Sequence, residues 1–285
     1  MPIAIYGSRS QHEHIPALRI LFARLHALRI STAIHPKLAW YLEERGVNLY
    51  GAAVTERIPS STELVLSIGG DGTFLRAARW VADRELPILG VNTGHLGFLA
   101  GCRLPEVEEM LMLFRQGRTV IEKRMLLQVS CSSLPLDEWP YALNEVALQK
   151  EDTASMITVS AKINGQPLAN YRADGLIIST PTGSTAYNLA AGGPIVEPTI
   201  DCMVITPVAP HTLTLRPLVA GADSRLQFIP QGRARDFRLS LDSRSYILPI
   251  GTKVIVGRAP FVTKLVRRSD SPFPSILSDK LLWGN

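Results

Sequence analysis

Three clusters of residues in this chain have the types and spacing to carry chemistry. In the first, Gly69, Gly70, Asp71, Gly72 and Thr73 follow the apolar run LVLSI at 64–68 and open a stretch of helical character. Glycines let the backbone turn tightly and leave amide N–H groups free to face phosphate. The helix that follows adds the positive end of its dipole. Asp71 is out of place in a loop that only cradles phosphate, because a carboxylate repels an anion. It makes sense as a general base toward a hydroxyl, or as a contact to metal-bound phosphate. A plain strand-to-helix turn is the structural alternative, since Gly-Gly and Asp-Gly are common turn pairs.

The second cluster is Asn144-Glu145, between two apolar β-type segments. An adjacent amide and carboxylate supply the donor and the acceptor that ribose hydroxyls need; a polar turn is the alternative. The third cluster runs from Arg172 through Asp174, the buried-type run LIIST and the hydroxyl-rich PTGST to Tyr187, then to AAGGP at 190–194. Its hydroxyls can donate many hydrogen bonds without adding charge, and Tyr187 offers an aromatic face to a ring. His211 reads as structural, and His12, His14, His26, His35 and His95 show no metal spacing.

Two familiar phosphate motifs are missing. No GxxxxGK[ST] occurs, and Leu75 stands where a dinucleotide fingerprint would want its third glycine.

The elements that must hold these clusters change character along the chain. Up to about Gly117, short apolar runs (3–6, 64–68, 87–91) alternate with helical spacings: Ile15, Leu18, Leu21, Phe22, Leu25 and Leu28, then 38–46, 73–82 and 105–114. That alternation predicts a parallel sheet covered by helices. The GGDG tetrad then falls at the carboxyl edge of a strand, where open α/β folds bind ligands. From Thr119 onward β-type segments dominate, with Asn164-Gly165 a strong hairpin signal. The expected division is an α/β domain over 1–118, a mainly antiparallel β domain over 119–270, and a short amphipathic tail over 271–285.

The composition is that of a globular protein: 285 residues, 46% hydrophobic and 19% charged, too apolar for a disordered chain. The net charge of +5 suits phosphorylated ligands. The arginines at 233, 235, 238, 267 and 268 form no polybasic run with interleaved aromatics, so no nucleic-acid partner is expected. Cys102, Cys131 and Cys202 are odd in number and have no metal spacing. No leader features open the chain, and no apolar stretch is long enough for a membrane span. The expectation is a cytoplasmic protein without a membrane partner.

Taken together, the clusters resemble the NAD kinases. The resemblance rests on GGDGTFL at 69–75, VNTGHLGFL at 91–99, Asn144-Glu145, DGLIISTPTGSTAYNLAAGGPIV at 174–196 and APHTLTLRPLV at 209–219. GGDG alone is shared with lipid kinases and phosphofructokinases; the long block after Asp174 is specific.

The resemblance implies a Rossmann-like α/β domain and an antiparallel β domain, with the active site in the cleft between them and the tail returning to the first domain. It implies transfer of the γ-phosphoryl group of ATP, as its magnesium complex, to the 2′-hydroxyl of the adenosine ribose of NAD. It also implies a homo-oligomer, a tetramer more often than a dimer. Carried over by position, Asp71 is the general base. Gly69, Gly70, Gly72 and Thr73 face the phosphates, and Gly72 also lets the substrate approach. Phe98 lines the adenine pocket, and Asn144, Glu145, Arg172 and Asp174 bind the dinucleotide. So do members of the stretch Thr185, Ala186, Tyr187, Asn188, Leu189 and Ala190. Ser155 and Arg244 stand where relatives can carry a histidine and a glutamine, at the periphery of the dinucleotide site. No residue is expected to be a dedicated metal ligand, since the magnesium arrives with the nucleotide. The alternatives are a non-catalytic dinucleotide sensor and another GGDG-type kinase acting on a lipid or a sugar.

Overall fold

The structure is a computed structural model and describes residues 1–7, 9, 12–94, 97–135, 138–151, 156–270 and 273–283. The chain forms two compact units, Met1–Lys123 with Thr263–Asn285, and Arg124–Val262.

The first unit contains β1 (Ile3–Gly7), α1 (Ile15–Ala27), β2 (Thr32–Ile34), α2 (Pro36–Glu43), β3 (Ala53–Val54), β4 (Leu64–Ile68), α3 (Asp71–Val81), β5 (Pro87–Asn92), β6 (Cys102–Arg103) and α4 (Val107–Arg115). Its strands pair in the order β3-β2-β1-β4-β5, all parallel, with Ile3 opposite both Thr32 and Leu64, and Val65 opposite Ile88. Every residue of β1 and β4 is buried, which is why both read as unbroken apolar runs. The apolar stripe of α1 (Leu18, Leu21, Phe22, Leu25) packs into the same core as Leu38 and Leu42 of α2. The expected helix over 105–114 begins only at Val107, because Leu104–Glu106 form a separate 3₁₀ turn holding Pro105.

The second unit opens within β7 (Thr119–Cys131). It continues through β8 (Tyr141–Ala142), β9 (Glu145–Lys150), β10 (Ile157–Ile163), β11 (Gln166–Ala173), β12 (Gly175–Ser179), α5 (Tyr187–Ala190), β13 (Cys202–Val208), β14 (Leu218–Gly221), β15 (Leu226–Gln231), β16 (Asp236–Leu241) and β17 (Arg244–Pro249), and ends within β18 (Val254–Arg268). Two antiparallel arrays result, β14-β13-β12-β9-β16-β17 and β11-β10-β15-β18. They share one apolar core, to which Leu148, Ile178 and Leu239 contribute from the first and Val159, Phe228 and Val254 from the second. Asn164 and Gly165, both at positive φ, make the β10–β11 hairpin turn.

The far end of β18 belongs to the first unit, where Lys264 and Leu265 pair parallel with Pro87 and Ile88. The tail forms α6 (Phe273–Leu281) in that same unit. Among the described residues, no helix is long and apolar enough to cross a membrane.

Candidate active site

In the first unit, β4 ends at Ile68 and Gly69 takes φ +147°, where a β-carbon would stand 2.4 Å from the Thr73 hydroxyl. This left-handed turn hands the chain to α3, capped at Gly70, with Asp71 as its first residue. A carboxylate in a first helical turn is favoured by the helix dipole. Asp71 does more than balance that dipole. Its Oδ1 accepts from the N–H groups of Leu99 (3.0 Å) and Ala100 (2.9 Å), and its Oδ2 from Phe98 N–H (2.8 Å). Of about four acceptor positions on a carboxylate, three are taken and one, on Oδ2, is left. Phe98 is held from its other side too, since the Arg267 guanidinium donates to the Phe98 carbonyl and to Glu122.

The glycines here differ in kind. A β-carbon on Gly97 would lie 2.0 Å from Asp71 Oδ1, so Gly97 is needed for the carboxylate to sit where it does. On Gly70 a β-carbon would meet nothing within 4 Å, and on Gly72 only the tip of Arg76 at 3.9 Å. Internal packing therefore makes no demand for glycine at 70 and 72, which leaves open backbone on both sides of Asp71.

In the second unit, the polar turn at 143–145 interrupts what would otherwise be one strand from β8 to β9. It is stitched from two directions. Thr180 donates its N–H to the Asn144 carbonyl (2.9 Å) and its hydroxyl to the Leu143 carbonyl (2.6 Å). Asp242 takes the opposite side, accepting from the N–H groups of Leu143 (2.9 Å), Asn144 (2.8 Å) and Glu145 (3.2 Å). Gly183 lies so close that a β-carbon would be 2.1 Å from the Asn144 carbonyl oxygen.

The hydroxyl run does not present its donors outward as the sequence suggested. Ser179, Thr180, Thr182 and Ser184 are buried. Ser179 and Thr180 donate to backbone carbonyls, and Ser184 accepts from Val196 N–H at 3.0 Å. They brace the loop, because a buried hydroxyl without a partner is costly. Asn188 is wholly buried, with its amide donating to the carbonyls of Ser184 and Pro194 (3.0 Å each) and accepting from the Thr206 hydroxyl (2.6 Å). Thr185, Ala186 and Leu189 are half-buried and Ala190 is exposed.

Tyr187 is exposed, and its hydroxyl accepts from Gln149 at 3.1 Å. Beside it, Asp174 pairs with Lys150 at 2.8 Å, and both line a shallow recess together with Tyr187 and Arg238. Arg172 is exposed on β11, with its carbonyl bonded to His211 N–H. Arg244 spends its guanidinium on the carbonyls of Trp139 and Tyr141, so it fixes the segment before the 143–145 turn. Ser155 lies outside the described residues, as does His95.

Burial, and after it the charge of Asp242, push the Glu145 carboxyl up to about 8. Burial also pushes Asp242 up, against the three amides and Arg244 that hold it down. In the first unit, burial pushes the Lys280 ammonium of α6 down to about 8, against the carboxylates of Asp71 and Asp279; Arg267 and Arg103 add to the lowering. Asp242 and Lys280, like Lys150 and Glu122, are charged residues that the sequence reading did not single out. A lone Asp in a hairpin turn and a lone Lys on a short helix carry no local signal.

Chemically, the first unit offers a carboxylate with one spare acceptor position beside open glycine backbone and a helix N-terminus. The second offers a braced amide–carboxyl turn and, beside the Lys150–Asp174 pair, an exposed tyrosine. Among the described residues, no three or more His, Cys, Asp or Glu side chains gather to hold a metal ion.

Comparison with known proteins agrees across the chain. Residues 37–119 match the family described as ATP-NAD kinase N-terminal domain, and residues 143–268 the one described as ATP-NAD kinase C-terminal domain. A NAD kinase of Flavobacterium psychrophilum and one of Bacteroides fragilis are each 39% identical, over 100% of this chain and 98% of their own length. The fold is similar to that of yeast NADH kinase complexed with NADH (TM-score 0.86, 21% identity, 100% of this chain and 88% of that one). It is also similar to an NAD kinase from Archaeoglobus fulgidus in complex with ATP (TM-score 0.75, 24% identity, 98% of both chains).

Proposed function

Because this chain belongs to the NAD kinase family, we propose that it transfers the γ-phosphoryl group of ATP to the 2′-hydroxyl of the adenosine ribose of NAD, giving NADP and ADP. The observation that carries the mechanism is the spare acceptor position on Asp71 Oδ2, at the start of α3 between two glycines whose surroundings are open. That oxygen can take the hydroxyl proton. A ribose hydroxyl is a weak nucleophile, but phosphoryl transfer passes through a loose transition state, so the proton leaves late and no free alkoxide is needed. Most of the rate then comes from alignment and charge neutralisation.

In this reading Gly69, Gly70, Gly72 and Thr73 offer backbone amides and the α3 N-terminus to the phosphates of ATP. ATP enters as its magnesium complex, a substrate rather than a resident group. Asn144, Glu145, Asp174 and Tyr187 contact the dinucleotide, Phe98 lines the adenine pocket, and Asn188 shapes the loop from within. NADH and ATP in the complexes of the yeast and archaeal relatives support a dinucleotide and ATP as the two substrates. The enzyme works in the cytoplasm as a homo-oligomer, a tetramer in preference to a dimer, which light scattering on the purified protein tests.

The deciding experiment is a coupled assay: protein, NAD, ATP and magnesium, with NADP read by an NADP-specific dehydrogenase. Asp71→Asn should keep its melting temperature within a few degrees and bind NAD by calorimetry, while kcat falls about 10²–10⁴-fold, the usual worth of a positioned base. Near wild-type turnover in that variant rules out Asp71 as the base. Binding of NAD without any NADP from the wild type points to a sensor, and neither product nor binding to a lipid or sugar kinase.

A further inference from the structure

Asp242 sits at the tip of the β16–β17 hairpin with φ +50°, a conformation that Asp tolerates better than most residues. Four hydrogen bonds tie it to residues distant in sequence. Its carboxylate accepts three consecutive N–H groups, those of Leu143, Asn144 and Glu145, and its own N–H donates to the Glu145 carbonyl at 3.0 Å. The same turn is gripped from the other side by Thr180 and crowded by Gly183. A neutral acid at 242 would keep one oxygen as a hydroxyl and would serve three amides less well; the arrangement calls for a carboxylate.

Glu145 lies beside this carboxylate, and its Oε2 is buried without a hydrogen-bond partner. Two neighbouring buried carboxyls cannot both ionise cheaply, so one of them keeps a proton. The three amides and Arg244 favour charge on Asp242. Nothing comparable stabilises charge on Glu145. Among the described residues, the charged side chain acting on the pair from outside it is Arg244 of β17, with Glu138 4.0 Å behind it; Arg124 of β7 donates to Thr182. Facing the pair from β12 and the 180–183 turn are only uncharged side chains.

We propose that Asp242 is a positioning residue for the dinucleotide: its carboxylate fixes the Asn144-Glu145 turn and keeps Glu145 in its protonated form, so that Glu145 binds as a hydrogen-bond donor to a ribose oxygen. This rests on the NAD kinase reading and adds a residue and a protonation state to it. Binding then needs the Glu145 proton, and a dinucleotide offered above the Glu145 pKa must draw that proton from solvent.

The test compares the full-length wild type with Asp242→Asn between pH 6 and 9.5, measuring kcat, KM for NAD, KM for ATP, and NAD binding heats in buffers of different ionisation enthalpy. The wild type should bind NAD more weakly as the pH rises through about 8, with net proton uptake on binding at pH 8.5. Asp242→Asn should raise KM for NAD about tenfold or more, the effect of one badly matched buried donor. Its KM for ATP should stay within about twofold, and the inflection in NAD affinity should move to lower pH as the neighbouring charge disappears. An unchanged KM for NAD and unchanged pH profile in Asp242→Asn overturn the proposal. So does wild-type NAD binding that tightens through pH 8 or takes up no proton, and that measurement decides the matter even if the variant does not fold. A wild type that neither binds NAD nor makes NADP fails the NAD kinase reading itself; NADP formation with an indifferent Asp242 fails only the positioning role.

Discussion

A β-carbon on Gly97 would stand 2.0 Å from Oδ1 of Asp71. The carboxylate cannot retreat, because three amides from Phe98, Leu99 and Ala100 hold it. Gly97→Ala should therefore displace Asp71 rather than be absorbed. We expect a loss of about 1–3 kcal/mol in stability, as for other overpacked sites, and about a 10²-fold drop in kcat, the effect of an ångström-scale misplacement. Urea unfolding and the coupled assay measure the two; a fully active variant sinks this account of the loop.

Gly72→Ala should behave in the opposite way. The site is open and the backbone is already helical, so stability should hold or rise by up to about 0.5–1 kcal/mol. KM for NAD or ATP should rise about tenfold, because the methyl group occupies space a substrate needs. A destabilised Gly72→Ala with normal KM values would show that packing, not ligand approach, requires the glycine.

Asn188→Ala removes one amide but strands the Thr206 hydroxyl and the carbonyls of Ser184 and Pro194 in the interior. Stability should fall by at least about 2 kcal/mol, since each unsatisfied buried group costs about 1–3. KM for NAD should rise with it as the loop loosens. Chemical denaturation midpoints check the first part.

Glu145 gives a pH signature in stability, apart from its role in binding. Its folded pKa of about 8 lies above its ordinary 4.5, so the folded state holds the proton that the unfolded state has released. Stability from this group is fully present below about 4.5 and is lost as pH rises toward 8. Glu145→Gln should flatten the slope of unfolding free energy between pH 5 and 8. An unchanged slope in that variant argues that the group titrates normally.

Lys280 works at the alkaline end. Its folded pKa of about 8 is below its ordinary 10.5, so between those values the unfolded chain binds more protons and stability rises with pH. Lys280→Met should be more stable than wild type at pH 7, and the advantage should shrink toward pH 10.5. Thermal melts at three pH values suffice; a gap that widens with pH contradicts the burial of the ammonium.

Much of this was legible in the sequence, for reasons that can be given residue by residue. LVLSI is buried on both faces, so the strand before the tetrad reads as an unbroken apolar run. Asn164-Gly165 marks its hairpin because both residues need positive φ. The polar pair Asn144-Glu145 stands out because it interrupts two apolar strands. The direction of the hydroxyls from Ser179 to Ser184 was not legible: composition shows that donors are present, and only packing decides whether they face a ligand or brace a backbone. Asp242 was invisible for another reason. Its partners lie 97 to 99 residues away, and within its own hairpin an Asp reads simply as a turn residue. The bonds from Asp71 to residues 98–100 also cross 27 to 29 residues of chain, too far for local pattern to show.

The last strand has one further consequence. Arg267, which clamps Phe98, and Lys264 and Leu265, which pair with β5, lie in chain made only after the whole of the second unit. On a ribosome adding about 5–20 residues per second, the first unit waits on the order of ten seconds for its closing piece. Through that interval the nascent chain carries β5 with its edge at Pro87–Ile88 open on the side away from β4, and a half-fastened Phe98. Such an edge invites association with another nascent chain. Pro87, which has no N–H to offer a stray strand, stands at the start of that open edge.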